Sequence, residues 1–179
     1  MNMLVPAGLA VTAIAGVLIF LHKFLYHFKT VIPGVLYRSG ILKEAGLRYL
    51  CRKYKIRTIV NLLNEKEYAV YSKEHAAEKE YCDQNHIQWI CLPMKTDCPP
   101  SAQQIESFLR MTQDSQNQPI LIHCAQGVVR TNMMVAVFLK QYYDMDNHKI
   151  MKMLPFFGHR LEKRPRVHDF IKNYSKTAS

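Results

Sequence analysis

His123-Cys124-Ala125-Gln126-Gly127-Val128-Val129-Arg130-Thr131 gathers a thiol, a guanidinium and a hydroxyl, with five residues between Cys124 and Arg130. The apolar run 119–122 leads into this segment, and the helical run 133–143 follows it. A strand that breaks into a tight loop at a helix N-terminus aims its backbone N–H groups at one spot. With the helix dipole behind them, those groups make an anion site suited to phosphate. Cys124 would sit at the base of that cup, where the N–H groups and Arg130 favour thiolate over a thiol of ordinary pKa about 8.5. Arg130 can fork onto two phosphoryl oxygens, a geometry that Lys does not offer. Ala125, Gln126, Gly127, Val128, Val129 and Arg130 then form the substrate-binding loop, with Gly127 letting it curl without a Cβ clash. Thr131 is positioned to donate its hydroxyl to the sulfur. His123 reads as a structural hydrogen-bonder behind the loop. A lone cysteine at a strand end would ordinarily be core; the surrounding His, Gly, Arg and Thr argue for chemistry instead.

A departing phenolate or alkoxide needs a proton. Asp97 is the best-placed acid, in a loop between Pro93 and Pro99-Pro100 and 27 residues before Cys124. Glu106 and Asp114 are the other acids between that loop and the nucleophile, and Asp97 could instead serve a turn. Cys98, beside Asp97, has two readings: a resolving partner that protects Cys124 as a disulfide, or an ordinary loop cysteine. Cys51, Cys82 and Cys91 fall in helical or strand patterns and read as core. Cys82 with His75 and His86 has no zinc spacing, so neither a metal nor any other cofactor is expected.

These side chains need a scaffold. Residues 56–63, 87–92 and 119–122 read as buried strands, with 35–37 as a fourth. Helical composition fills 43–55, 65–85 and 101–112, and Ser101 with Gln104 makes a capping box after Pro99-Pro100. Strands separated by helices predict an α/β fold with a parallel sheet covered on both faces.

The chain has 179 residues, five Cys and a formal net charge of +10. That length suits one domain, and a hydrophobic fraction of 49% excludes a disordered chain. No zinc-finger spacing, basic zipper or RRM signature accompanies the charge, so no nucleic-acid partner is expected. Nine Lys/Arg against one acid fall in 22–60, which suits a membrane surface or an anionic substrate. Residues 3–21 carry no charge, and as a helix they would span about 28 Å, close to the hydrocarbon core. Lys23 and Lys29 follow the apolar run, where a cleaved signal peptide has its charge in front. The expectation is a single-pass membrane anchor over 1–22 with the catalytic domain on the cytosolic side. A basic-aromatic juxtamembrane linker over 23–35 would set Phe24, Tyr26 and Phe28 at headgroup depth. The catalytic domain would span 36–174, with 175–179 as a tail. Residues 158–166 read as a solvated turn or as a basic rim to the pocket.

HCAQGVVRT fits the H-C-x5-R-[ST] signature of cysteine-dependent phosphatases, and the chain resembles their compact dual-specificity and tyrosine-phosphatase type. Leu36-Tyr37-Arg38-Ser39-Gly40 resembles the family's L-Y-R-S opening, with Arg38 in a supporting role. Residues 56–63 resemble its I-x-T-(I/V)-(I/V)-N-L strand. Leu92-Pro93-Met94, with Asp97 and Pro99-Pro100, resembles the segment before the nucleophile in small bacterial and fungal members. The resemblance implies a four- to five-stranded, mainly parallel sheet flanked by helices, here preceded by one transmembrane helix. It also implies metal-free hydrolysis through phosphocysteine, in which Cys124 attacks, Arg130 holds the phosphoryl group and Asp97 moves the proton. Asn132, Val128-Val129 and Leu63-Asn64 depart from the family pattern. The expected substrates are phosphotyrosine and phosphoserine/threonine proteins. The alternatives are a phospholipid or phosphoinositide phosphatase and a catalytically weak phosphate-binding module.

Overall fold

The computed structural model describes residues 24–154 and 163–176. Five strands form one sheet: β1 (Lys29–Ile32), β2 (Leu36–Gly40), β3 (Thr58–Asn61), β4 (Gln88–Cys91) and β5 (Ile120–Cys124). Their order is β1-β2-β5-β3-β4, with β1 antiparallel to β2 and every other pairing parallel. Every residue of β2, β3 and β5 is buried, as strands covered on both faces must be. Register sets the site. Cys124 stands opposite Gly40 on β2, and His123 stands opposite Asn61 on β3. The segment after β5 therefore opens at the carboxyl end of the parallel strands, where open α/β sheets bind ligands.

The helices are α1 (Glu44–Tyr54), α2 (Glu65–Val70), α3 (Ser72–Gln84), α4 (Ala102–Gln113), α5 (Val129–Tyr143), α6 (Asn147–Met153) and α7 (Pro165–Asn173). Strand alternation divides the core. Leu121, Tyr37 and Ile59 face α1 and α3, packing with Leu47, Leu50, Tyr81 and Cys82. Ile120, Ile122, Leu36 and Val60 face the other way, against Met133, Met134 and Val137 of α5. Residues 129–139 of α5 are all buried, because α4, α6 and α7 close over the helix's far side. The Ser101 capping box is formed: the Ser101 hydroxyl accepts from the Gln104 N–H at 3.2 Å, and the Gln104 amide accepts from the Ser101 N–H at 2.7 Å.

Three expectations are corrected. The stretch 65–85 is two helices, α2 ending at Val70 and α3 beginning at Ser72 after the cap Tyr71. Cys91 is exposed, because β4 is an edge strand with only partial cover. Residues 24–35 are part of the domain, where a linker lying in the membrane interface was expected. There Phe28 stacks on Tyr37 with centroids 5.9 Å apart and lies 5.0 Å from Tyr54. Burying that aromatic face, and pairing the open edge of β2 with β1, satisfies groups a free linker would leave exposed. The anchor expected over 1–22 lies outside the described residues, as do 155–162. Among the described residues no helix is long and apolar enough to cross a membrane.

Candidate active site

Cys124 ends β5 and is 2% exposed. Its sulfur accepts from the Gly127 N–H at 3.2 Å. Burial pushes the thiol up. The Arg130 charge, the Thr131 hydroxyl and the backbone N–H groups of Thr131 and Val128 outweigh burial, so Cys124 titrates below an ordinary thiol. The Thr131 hydroxyl is buried with no hydrogen-bond partner among the described residues, and its pull on the thiol is electrostatic support near the sulfur. Gly127 has φ +65°, and a Cβ there would meet the Ser39 carbonyl oxygen at 2.1 Å. Only glycine lets the loop lie this close to β2.

Arg38 clamps the loop from beneath. It is 1% exposed, and its guanidinium donates to the Gly127 carbonyl and to the Asn132 amide oxygen. Burial lowers its pKa to about 10, against the opposing pull of Cys124. Asn132, a departure from the family pattern, thus supplies the acceptor that fixes Arg38. Val128 is fully buried, so its side chain packs and only its backbone faces the sulfur.

Arg130 is held on two sides. Its Nη1 donates to the Leu62 and Met94 carbonyls at 3.0 and 3.3 Å. Nη1 and Nη2 also fork onto the Glu67 carboxylate at 2.5 and 2.6 Å. Burial pushes Glu67 up, but the Arg130 hydrogen bonds and charge, with the Asn64 N–H, bring it below an ordinary carboxylate. Asn64 caps α2: it accepts from the Glu67 N–H at 3.2 Å and donates its own N–H back to Glu67 at 3.1 Å. The Leu63-Asn64 departure therefore builds the capping box that aims Glu67 at Arg130.

His123 is held behind the loop. Its Nε2 meets the Glu78 carboxylate at 2.8 Å, and Glu78, 2% exposed, also accepts from Asn61 at 2.9 Å and Trp89 at 2.8 Å. Burial acts on both partners toward neutrality, yet their pairing wins, lowering Glu78 and raising His123.

Asp97 lies in the loop between β4 and α4, with φ +60°, half exposed, and ion-paired to Arg164 at the start of α7. Thr96 and Arg164 line the same cleft as Cys124, Gln126 and Arg130. The other two acids are engaged elsewhere. Glu106 pairs with Arg110 on exposed α4, and Asp114 accepts from the Gln116 N–H. Cys98 and Cys124 are both free thiols, and neither Cys98 nor Asp97 is among the cleft-lining residues; Asp97 meets the cleft only through Arg164. Neither Glu67 nor Glu78 stands out in the sequence, although Asn64-x-x-Glu67 has the spacing of a capping box.

The family described as DSP-PTPase phosphatase fused to NAD+ kinase matches residues 30–167. The probable NAD kinase 2, chloroplastic, of Oryza sativa subsp. japonica is 31% identical over 134 residues, 69% of this chain and 13% of that protein. NAD kinase 2, chloroplastic, of Arabidopsis thaliana is 30% identical over 106 residues, 59% of this chain and 10% of that protein. The chain thus spans a small part of the length of these relatives. Among solved structures, the Siw14 catalytic core superposes with TM-score 0.68 at 22% identity, covering 83% of this chain and 85% of that one. TpbA of P. aeruginosa gives TM-score 0.66 at 18% identity, with coverage of 84% and 86%. A matched segment running from β1 into α7, with the thiol, arginine and loop of a cysteine-dependent phosphatase inside it, places the chain in the DSP-PTPase family that occurs fused to NAD+ kinase.

Proposed function

We propose that the chain is a membrane-anchored phosphatase that cleaves phosphomonoesters through a phosphocysteine intermediate. The observation that carries this is Cys124, its thiol lowered by Arg130, Thr131 and loop N–H groups that converge on one point. The thiolate attacks phosphorus; the P–S bond forms as the P–O bond to the leaving group breaks. Arg130 and the loop N–H groups hold the phosphoryl oxygens. Asp97, released from Arg164, gives a proton to the leaving oxygen. It then takes one from the water that splits phosphocysteine, regenerating thiolate and freeing phosphate. The intact set of Cys124, Arg130 and Asp97 disfavours a binding module without turnover.

The structural neighbours differ in substrate. Siw14 of S. cerevisiae is described as a PP-IP phosphatase and TpbA was solved with pTyr. Phosphoryl transfer to cysteine is the chemistry carried over to this chain. The anchor rests on the uncharged run 3–21 and the Lys/Arg excess behind it. The test uses the full chain with a soluble aryl phosphate. Cys124→Ser is expected to abolish phosphate release while still binding an oxyanion such as tungstate. Turnover at the wild-type rate in that variant ends the cysteine mechanism, and extraction of the wild-type chain from membranes by carbonate ends the anchor.

A further inference from the structure

We infer that the cleft acts on phosphate monoesters carried by the bilayer that holds the chain, that is, on phospholipid headgroups. This rests on the membrane-anchored phosphatase reading above, and narrows it to a substrate class. The ground is where the first described residues run. The Gly40 N–H donates to the Tyr26 carbonyl at 2.8 Å, and a Cβ on Gly40 would lie 2.5 Å from the Tyr26 ring. His27 Nδ1 meets the carbonyl oxygen of Gln126 at 2.7 Å. Gln126 belongs to the phosphate loop and lines the cleft. The segment leading back toward the anchor is thus bonded to the catalytic loop itself.

Little slack separates the two. Phe24 already packs on α1: its ring lies 5.7 Å from that of Tyr49, and a Cβ on Gly46 would meet its carbonyl oxygen at 2.2 Å. Only His22 and Lys23 lie between the uncharged run ending at Leu21 and Phe24. Three residue steps reach about 11 Å at most when fully extended, less than twice the roughly 6 Å of a headgroup layer. A linker lying in the interface would have let the domain swing away. The folded segment holds the Gln126 rim beside the lipid surface instead.

The flank beside Phe24 has the charge that such a surface attracts. On the outer side of α1, Arg48, Tyr49, Arg52 and Lys53 are exposed, with Glu44 already paired to Arg48 and the Lys53 ammonium donating to the Tyr49 hydroxyl. Anionic leaflets draw such basic-aromatic faces to them. A headgroup phosphate in the same bilayer meets the cleft at the high effective concentration of a tethered pair, whereas a folded phosphoprotein must fit between the rim and the membrane.

The test reconstitutes the full chain in phosphatidylcholine vesicles carrying phosphatidic acid, phosphatidylglycerol phosphate and phosphatidylinositol phosphate. Phosphate release is compared with that from a phosphotyrosine peptide and an aryl phosphate in solution. At least one lipid is expected to be cleaved about tenfold or more faster than the peptide, as tethering predicts. A Gly-Ser spacer of about 20 residues between Lys23 and Phe24, long enough to free the domain, is expected to cut the lipid rate several-fold and leave the aryl phosphate rate unchanged. The inference is overturned if the peptide outpaces every lipid, or if the spacer leaves the lipid rate as it was. Silence on the aryl phosphate is the separate failure, which removes the phosphatase reading itself.

Discussion

At the scale of the residue, the two ends of phosphoryl transfer need opposite things: Cys124 must be anionic before attack, and the acid, proposed above to be Asp97, must carry a proton. The first is built into the fold. Arg130, the Thr131 hydroxyl and two N–H groups overcome the burial that would keep the thiol neutral. Thr131→Ala removes a donor to the thiolate and so favours the thiol. The pH midpoint of inactivation by iodoacetate, expected below the usual thiol value of about 8.5, should move upward in that variant. An unmoved midpoint would show that the hydroxyl does not reach the sulfur. Asp97 instead stands in an ion pair with Arg164, half exposed, and in the proposed role would have to leave that pair. Asp97→Asn is expected to lower turnover by roughly 10²–10⁴ on substrates with basic leaving groups. The loss should be smaller on an aryl phosphate whose phenolate departs unaided, and equal losses on both would make Asp97 structural.

At the scale of the element, two carboxylates on the α2–α3 segment support the loop from separate directions. Glu67 grips Arg130 from the capped start of α2, and Glu78 on α3 holds His123 under the nucleophile. Cys124 and Arg130 were legible in the sequence because one loop carries both. Glu67 and Glu78 were not, since their partners lie 63 and 45 residues away, and their charged helical stretch resembles any solvated face. Asn64 could have given Glu67 away through the capping-box spacing; Glu78 has no comparable local signal. The buried pair sets a pH window for stability. Glu78 is lowered by folding, so its contribution is present above its unfolded value of about 4.3 and is lost as pH falls through the folded value. His123 is raised, so its contribution is full below about 6.5 and is lost as pH climbs through its folded value. Glu78→Gln should therefore lower Tm most between those limits and flatten its pH profile on both sides. A profile that keeps its wild-type shape would remove the pair from the account. Breaking one member of a buried pair costs on the order of 3 kcal/mol, enough to read by thermal melting.

At the scale of the whole molecule, the sheet's β2 edge is where sequence patterning and fold parted company. Apolar runs marked β3, β5 and the start of β2, because strands covered on both faces are mostly apolar, and β4 was marked by its Trp89-Ile90 pair although it lies at the sheet's other edge. Lys29–Ile32 alternates too little to be read as a strand, and its exposed end at Lys29–Thr30 is what an outermost strand shows. The aromatic residues before it looked like headgroup anchors because a ring suits either a membrane interface or a packed core. Contacts with Tyr37 and Tyr54 decide the matter, and neither pairing is visible from spacing alone. The consequence is a domain that begins well before residue 36. A chain of residues 24–179 keeps β1, Phe28, and the Tyr26 and His27 bonds to Gly40 and Gln126. Residues 36–179, the boundary expected from the sequence, would leave β2 as an open edge and uncover Tyr37 and Tyr54. Phe28 is partly buried against Tyr37 and Tyr54, so its loss costs less than the roughly 3–5 kcal/mol of a core aromatic. Losing the β1 pairing with it, however, takes a sizeable part of an ordinary domain's stability of about 5–15 kcal/mol. The shorter chain is therefore expected to be insoluble or to melt without a cooperative transition, while the longer one unfolds in a single step and releases phosphate from an aryl ester. Equal melting temperatures for the two would mean that β1 adds nothing to the fold, and would also cut the tie between the Tyr26–His27 segment and the catalytic loop.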